Sequence, residues 1–573
     1  MSRRFKRAPV LILAAGVAAC ATMSDTETIE AETWIPAVST APPNIVLVLF
    51  EDLSPRIGAF GDALAVTPNF DKIAAEGVRY TNVFTTSGVC APSRAALITG
   101  RYQHTIGAQH MRTTNAAGLA TGGPQPYLAV PAPGVKAFPE TLRAAGYHTS
   151  NDSKTDYQFG EPFTIWDISE EGADWSTRKA DQPFFHMRTF FNTHESTIWP
   201  KDMTPRNPVE AFIVNRNQTV FATRQVTVTP DEVDVPPYLP DVDEVRRDLA
   251  RHYDNIAFTD AQLGDLYDRL EAEGLLNDTI LIVSTDHGDG LPRMKRSLYD
   301  SGLHVPMVIR YPDGWGAGSV NDEMISFIDL APTILSWAGL EVADGLHGAD
   351  FSGADRTPPR DYIFAAQDRM DSEMSRRRAV RDERFKYIRN FQPGDPYFEP
   401  LAFRDSQPSM KALWAGLADG SLPPEAARLF EPLPKEQFYD TREDPHEVRN
   451  LAEDKGYAGE LERLRSQLDA WLETYGDMSV DPETEMINQM WPDGVQPVTK
   501  SVQAEMQMQD GAYEITLVSA TEGASIGYRF ADRENGWQLY NGPLRVSNGT
   551  TLEVKAIRYG YAESLVETVN VPE

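Results

Sequence analysis

Cysteine is almost missing from this 573-residue chain, which holds only Cys20 and Cys90. A disulfide framework is therefore excluded as the organising principle. Positive charge is also short, with 53 Lys and Arg against 84 Asp and Glu and a formal net charge of −31 at pH 7. A nucleic-acid binder needs a basic footprint to release phosphate counterions, so that class is set aside, and no nucleic-acid partner is expected. An anionic substrate would need a local basic pocket within an acidic body. Internal repeats, low-complexity tracts and dominant acidic runs are absent. What remains is an ordinary globular composition, 41% hydrophobic and 24% charged, which argues against wholesale disorder and polytopic membrane structure.

The one notable apolar run, Ala8 to Ala19, follows basic Arg3-Arg4-Phe5-Lys6-Arg7. It is too short to span a bilayer, which takes about 20 residues. A basic segment, a short apolar segment and small residues before a break read as an export signal. The break, Val17-Ala18-Ala19-Cys20, is similar to a bacterial lipobox, which implies lipidation at Cys20, a membrane anchor and a periplasmic or outer-membrane address. Residues 21–42 then read as a tether. With Cys20 so used, Cys90 has no partner, and a lone exported thiol calls for a chemical explanation.

Ile45 to Phe50 and Thr279 to Ser284 are continuous apolar, β-rich runs of the kind that form strands buried on both faces. Val305 to Tyr311 is a third. Helical patterns lie between them: Pro68 to Glu76, Pro92 to Thr99, Pro139 to Ala145, and 243–273, where Leu249, Ile256, Leu263, Leu266 and Leu270 recur among charges. Alternating strands and helices predict an α/β fold with a mostly parallel sheet flanked by helices. Sites in such sheets form beyond the carboxyl ends of strands. Two strands end there in acids, Glu51-Asp52 and Asp286-His287, which makes both clusters metal-site candidates. After about residue 380 the pattern shifts to a smaller α+β subdomain. Residues 480–505 read as a polar linker, and 511–573 as a small antiparallel β-domain.

Cys90 sits in Cys90-Ala91-Pro92-Ser93-Arg94, followed by Thr99-Gly100-Arg101. It stands just before a helix start, where free N–H groups favour negative charge, and Arg94 lies one turn on. A helix N-terminus with a guanidinium suits a tetrahedral oxyanion. A low-pKa thiolate nucleophile is the generic reading, although metal-binding acids do not usually accompany one.

This segment resembles the signature of the type I, formylglycine-dependent sulfatases, C-x-P-S-R with a short helix and T-G-R. The resemblance extends over about residues 43–475. The stretches His252 to Pro312 and Phe438 to Glu447 are most similar to the heparan N-sulfatase (sulfamidase) branch. It implies an alkaline-phosphatase-like fold and oxidation of Cys90 to formylglycine by a maturation enzyme. One geminal hydroxyl of the hydrated aldehyde would then attack sulfur, and the other would release sulfate. The resemblance also implies a metal held by Glu51, Asp52, Cys90, Asp286 and His287. Ca²⁺ is expected for such oxygen donors. The sequence departs from the common pattern in having Glu51 for Asp and His287 for Asn, and a His ligand leaves Mg²⁺ or Mn²⁺ open.

Arg94, Lys154 and Lys295 match the family's sulfate-binding cations, Lys295 lying nine residues after Asp286. His194 matches the His that protonates the leaving group, a role suited to its natural pKa. Asp156 stands where the family often has His. His104 and His110 follow the signature helix and are expected to face substrate. The domain reading is a signal over 1–20, a tether over 21–42, a catalytic α/β domain over 43–370, a C-terminal subdomain over 371–490, and a small β-sandwich, similar to the C-terminal domain of chitobiases, over 503–573. The expected function is a sulfatase on sulfated sugars or polysaccharides. The alternatives are a phosphonate or phosphodiester hydrolase of the same superfamily and a non-catalytic glycan-binding lipoprotein.

Overall fold

The computed structural model describes residues 42–114, 122–354, 356–532 and 536–573. The export segment, Cys20 and the tether up to residue 41 lie outside the described residues, among which no helix is long and apolar enough to cross a membrane.

Eight strands make the main sheet: β1 (Asn44–Phe50), β2 (Val78–Phe84), β3 (His148–Asp152), β4 (Ile168–Ser169), β5 (Phe184–Phe190), β6 (Thr279–Thr285), β7 (His304–Arg310) and β8 (Ser319–Ser326). Their order is β4-β3-β5-β1-β6-β7-β2-β8. Every pairing is parallel except those of β7, which runs antiparallel to both β6 and β2. The apolar run of β1 shows why a strand must form here. Val46, Val48 and Phe50 enter one core cluster, and Ile45, Leu47 and Leu49 enter another on the opposite face. Side chains alternate with a period of two, so a strand covered on both faces needs an unbroken hydrophobic sequence. One cover is the helix Asp243–Ala272, whose Leu249, Ile256, Leu263 and Leu270 are buried along a single stripe.

A second sheet is antiparallel: β9 (Ile363–Gln367), β10 (Arg377–Arg381), β11 (Phe385–Asn390) and β12 (Glu436–Asp440), ordered β12-β11-β10-β9. The helix Ala458–Tyr475 covers it with Leu461, Leu464, Leu468 and Trp471. Residues 502–570 form two further antiparallel sheets, of three and four strands, around an apolar core that includes Ile515, Leu552 and Val554.

The expected linker over 480–505 is corrected. It contains the helix Glu483–Met490, which buries Met486, Ile487 and Met490 with Tyr127. Glu483 anchors it, accepting from the Arg369 guanidinium at 2.7 Å and from the Tyr127 hydroxyl at 3.0 Å. Apolar residues at 486, 487 and 490 are one helical face. The surrounding Pro and acidic residues hide that pattern.

Candidate active site

Parallel register brings the expected residues together. Phe50 of β1 lies opposite Phe190 of β5 on one side and Thr285 of β6 on the other, and β3 pairs β5 in parallel beyond. The carboxyl ends of four adjacent strands therefore release, side by side, Lys154 after β3, His194 after β5, Glu51-Asp52 after β1 and Asp286-His287 after β6.

The helix Cys90–Thr99 is fully buried and is fastened to the end of β6. The Ser93 hydroxyl donates to the Asp286 carbonyl oxygen at 2.6 Å, and Arg94 Nε donates to Asp286 Oδ2 at 3.0 Å. Arg94 also reaches the Thr189 hydroxyl at 3.2 Å. The two conspicuous polar residues of the signature thus fix where residue 90 points. Cys90 Sγ lies 3.2 Å from His287 Nε2 and 4.0 Å from Asp52 Oδ1. Ligand atoms of Cys90, Asp286 and His287 lie within 4.8 Å of one another, as do those of Asp52, Cys90 and His194.

Glu51, Asp52, Asp286 and His287 are all fully buried. Burial pushes the Glu51 carboxyl above its ordinary value despite Lys154 close by. Neither carboxylate oxygen of Glu51 has a hydrogen bond, although the Lys154 ammonium is 2.7 Å from Oε1. Such an acid is short of positive charge. Burial would raise Asp52 as well, but Lys295 and His287 outweigh it and hold that carboxyl low. Burial likewise opposes ionisation of Asp286, which His287, Arg94 and Lys154 reverse. Nδ1 of His287 lies 2.9 Å from the Gly288 carbonyl oxygen and donates to it, which aims Nε2 into the cluster. A partner that fixes one nitrogen and frees the other is the usual arrangement of a ligating imidazole. Three buried carboxylates, one of them the undercompensated Glu51, and an aimed imidazole fit a divalent cation.

The cations surround the same point. Lys295 Nζ donates to Asp52 at 2.7 and 2.9 Å and lies 3.3 Å from Glu195. Lys154 Nζ is 3.8 Å from Asp286 and 3.9 Å from Asp156. Asp156 is at the mouth, with its side chain 34% exposed. Nδ1 of His194 accepts from the Ser196 N–H at 3.3 Å and faces the Ser196 hydroxyl at 2.8 Å. The proton is thereby assigned to Nε2. Burial, then Lys295 and Lys154, push the ring well below its ordinary pKa, so it is a neutral donor.

Two expected substrate contacts are placed elsewhere. His104 is fully buried, its ring centroid 4.6 Å from that of Trp471 under the second sheet. His110 is buried as well, its Nδ1 accepting from the Arg369 N–H at 3.2 Å. Both turn into packing because the chain passes beneath the C-terminal subdomain after the signature helix. Sequence reasoning missed Glu195 and Arg296. The Glu195 N–H donates to Asp52 Oδ2 at 2.7 Å, and its carboxylate takes two bonds of 2.8 Å from Arg296. Each sits next to an identified residue, His194 and Lys295, which was the available signal. Asp289 was also missed. It accepts from the Ser54 N–H at 2.7 Å and pairs with His252 at 2.9 Å, steadying the loop after β1.

A mostly parallel sheet with a buried acid cluster at its carboxyl edge defines an alkaline-phosphatase-like hydrolase. Solved structures share this fold. One, an enzyme in complex with its substrate D-glucosamine-2-N,6-O-disulfate, aligns with a TM-score of 0.54 and 19% identity over 77% of this chain and 99% of that one. The phosphonate monoester hydrolase of Agrobacterium radiobacter aligns with a TM-score of 0.52 and 19% identity over 76% and 97%. The family model described as Sulfatase matches residues 43–340, and one described as N-sulphoglucosamine sulphohydrolase, C-terminal, matches 293–399. An ulvan-active sulfatase of Formosa agariphila is 41% identical over 91% of this chain and 90% of its own length. Human N-sulphoglucosamine sulphohydrolase is 27% identical over 75% and 90%. The chain belongs to the Sulfatase family, whose members generally use a formylglycine and a divalent metal, and it is a hydrolase of sulfate esters.

Proposed function

We propose that the protein removes sulfate from sugars of a sulfated polysaccharide, with Cys90 converted to formylglycine and a divalent cation, Ca²⁺ by preference, held by Glu51, Asp52, Asp286, His287 and residue 90. The observation that carries this reading is the position of Cys90, at a helix start among three buried acids, Arg94, Lys154 and Lys295. The relative named for activity on ulvan, at 41% identity across nearly the whole chain, supports a polysaccharide of that kind over the N-sulfated glucosamine in the human relative's name.

Once formed and bound, the modified residue 90 would supply the attacking oxygen, and a cation held by Glu51, Asp52, Asp286 and His287 would lower that oxygen's pKa and offset sulfuryl charge. The chain's own groups do the rest. Arg94 offers a planar fork, and Lys154 and Lys295 point charges, to sulfuryl oxygens. His194 holds its Nε2–H toward the leaving oxygen and, as a neutral hydrogen-bond donor, stabilises the charge that develops there. Asp156, at the mouth, accepts hydrogen bonds from sugar hydroxyls. Export and a lipid anchor at Cys20 would bring the enzyme to its polymer.

The test is turnover of defined sulfated oligosaccharides and of an aryl sulfate by protein co-produced with a formylglycine-generating enzyme, alongside mass spectrometry of the peptide Tyr80–Arg94. A carbonyl at residue 90, sulfate release, and no release from Cys90→Ala are expected. An unmodified thiol in an active protein, or faster cleavage of an aryl phosphonate than of the sulfate, would overturn the proposal.

A further inference from the structure

We infer that the turn Tyr559–Gly560 of the C-terminal β-domain positions the loop carrying Lys154 and Asp156, so that the appended domain is part of the sulfatase site. The inference rests on the sulfate-binding role proposed for Lys154.

Tyr559 is 2% exposed and packs in the apolar cluster of the catalytic sheet, with Ile45, Leu47 and Phe185, rather than in the cluster of its own domain. Its ring stacks on Phe159, with centroids 4.9 Å apart and planes at 10°, and Phe159 stacks on Tyr157 at 5.6 Å and 25°. Tyr157 directly follows Asp156. A three-ring column thus runs from the β-domain to the residues beside the lysine.

The backbone follows the same path. The Gly560 N–H donates to the Phe159 carbonyl oxygen at 3.1 Å, and the Ala129 N–H donates to that of Gln158 at 2.9 Å. Gly560 has φ +81°, and a Cβ there would run into the Ala129 carbonyl oxygen. Only glycine permits so close an approach. The Tyr559 hydroxyl donates to Glu140 at 2.8 Å and accepts from the Ala137 N–H at 3.2 Å. Glu140, 5% exposed, also accepts from the Ser525 hydroxyl, so the turn is tied to the catalytic helix Phe138–Ala144 from both sides.

The loop needs this support. From Ser153 to Gly160 it has no helix or strand. Asp156 and Gln158 hold left-handed backbone, with φ of 58° and 64°. Such conformations persist only where the surroundings impose them. Gln158 is held from the catalytic side by Thr113 and the His110 carbonyl. The aromatic end is held by Tyr559. Tyr559 is accordingly a positioning residue that acts through Lys154.

The experiment uses the full-length matured enzyme on an aryl sulfate and compares Tyr559→Ala, Tyr559→Phe, Lys154→Ala and the double variant Tyr559→Ala/Lys154→Ala. Asn541→Ala removes a bond of the same interface, to the Ala144 carbonyl, away from the loop. Tyr559→Ala is expected to lower kcat/KM by roughly 10- to 100-fold, since a displacement on the order of 1 Å has such an effect. Tyr559→Phe keeps the column and most of the activity, and Asn541→Ala is unaffected. In the Lys154→Ala background Tyr559→Ala adds less than about twofold, because the two act as one unit. Tyr559→Leu replaces Tyr559→Ala if the latter does not fold. Full multiplication of the two losses, or equal loss in Asn541→Ala, overturns the inference. An inactive parent enzyme would instead strike at the sulfatase reading, and a fully active Lys154→Ala at the role of the lysine.

Discussion

Nε of Arg94 donates to Oδ2 of Asp286 at 3.0 Å, joining the first turn of the signature helix to the end of β6. One guanidinium thereby orients an acid of the proposed metal site, while its Nη2, which makes no hydrogen bond, is left for the proposed sulfuryl position. A lysine has the charge without the fork. Arg94→Lys is expected to lower kcat/KM by about 10²-fold, the effect of losing one preorganised donor, while circular dichroism stays that of the parent. Activity within a few-fold of the parent would show that the fork is dispensable.

Glu51 is the acid with least compensation. Dialysis against a chelator should abolish turnover and lower the unfolding temperature, since an ion bound only by the folded state stabilises by mass action. Ca²⁺ should restore both. Glu51→Gln should need at least about tenfold more Ca²⁺ for half-maximal activity, a loss of roughly 1.4 kcal/mol in binding. An unchanged calcium titration would remove Glu51 from the ligand set.

The pair Glu195–Arg296 is buried, with both bonds at 2.8 Å. Truncating one member of such a pair costs about 3–5 kcal/mol, because the other charge stays behind unpaired. Lys295, 3.3 Å from Glu195, softens this, so Arg296→Met should lose about 2–3 kcal/mol in urea unfolding. Glu195→Gln/Arg296→Met should recover part of the loss. Equal destabilisation of single and double variants would contradict the account.

Burial lowers His104 to about 3 and His110 and His186 to about 4. These imidazoles stay neutral in the fold while the unfolded chain takes up protons below about pH 6.5. The unfolded state then binds more protons, so each contributes a loss of stability as pH falls from about 6.5, at up to about 1.4 kcal/mol per pH unit. Asp248, raised to about 7, and Asp368, raised to about 6, work in the opposite sense. Replacing His186 by Asn, which can keep the contact to Ser150, should make the unfolding temperature decline less steeply between about pH 6.5 and 4. A slope identical to the parent's would exclude His186 from the acid limb.

The site was legible where function and local pattern coincide. β1 and β6 are unbroken apolar runs that end in acids, and the Cys90 segment is a short contiguous motif. Less was legible where the determinant is remote. Nothing local in His304–Arg310 distinguishes an antiparallel strand from a parallel one, since its partners lie elsewhere in the chain. β2, Val-Arg-Tyr-Thr-Asn-Val-Phe, mixes polar and apolar residues and shows no continuous run. Glu195 and Arg296 meet across 101 residues. His104 and His110 were assigned to substrate by proximity in sequence, and tertiary packing turned them inward.

Cys90 is 1% exposed, and the helix that it opens sends Ala95, Leu97 and Ile98 into the apolar cluster that Tyr559 also enters. If residue 90 is converted to formylglycine as proposed, the enzyme that oxidises it would have no access once this fold has closed. The proposed conversion would therefore have to come before the fold closes around residue 90.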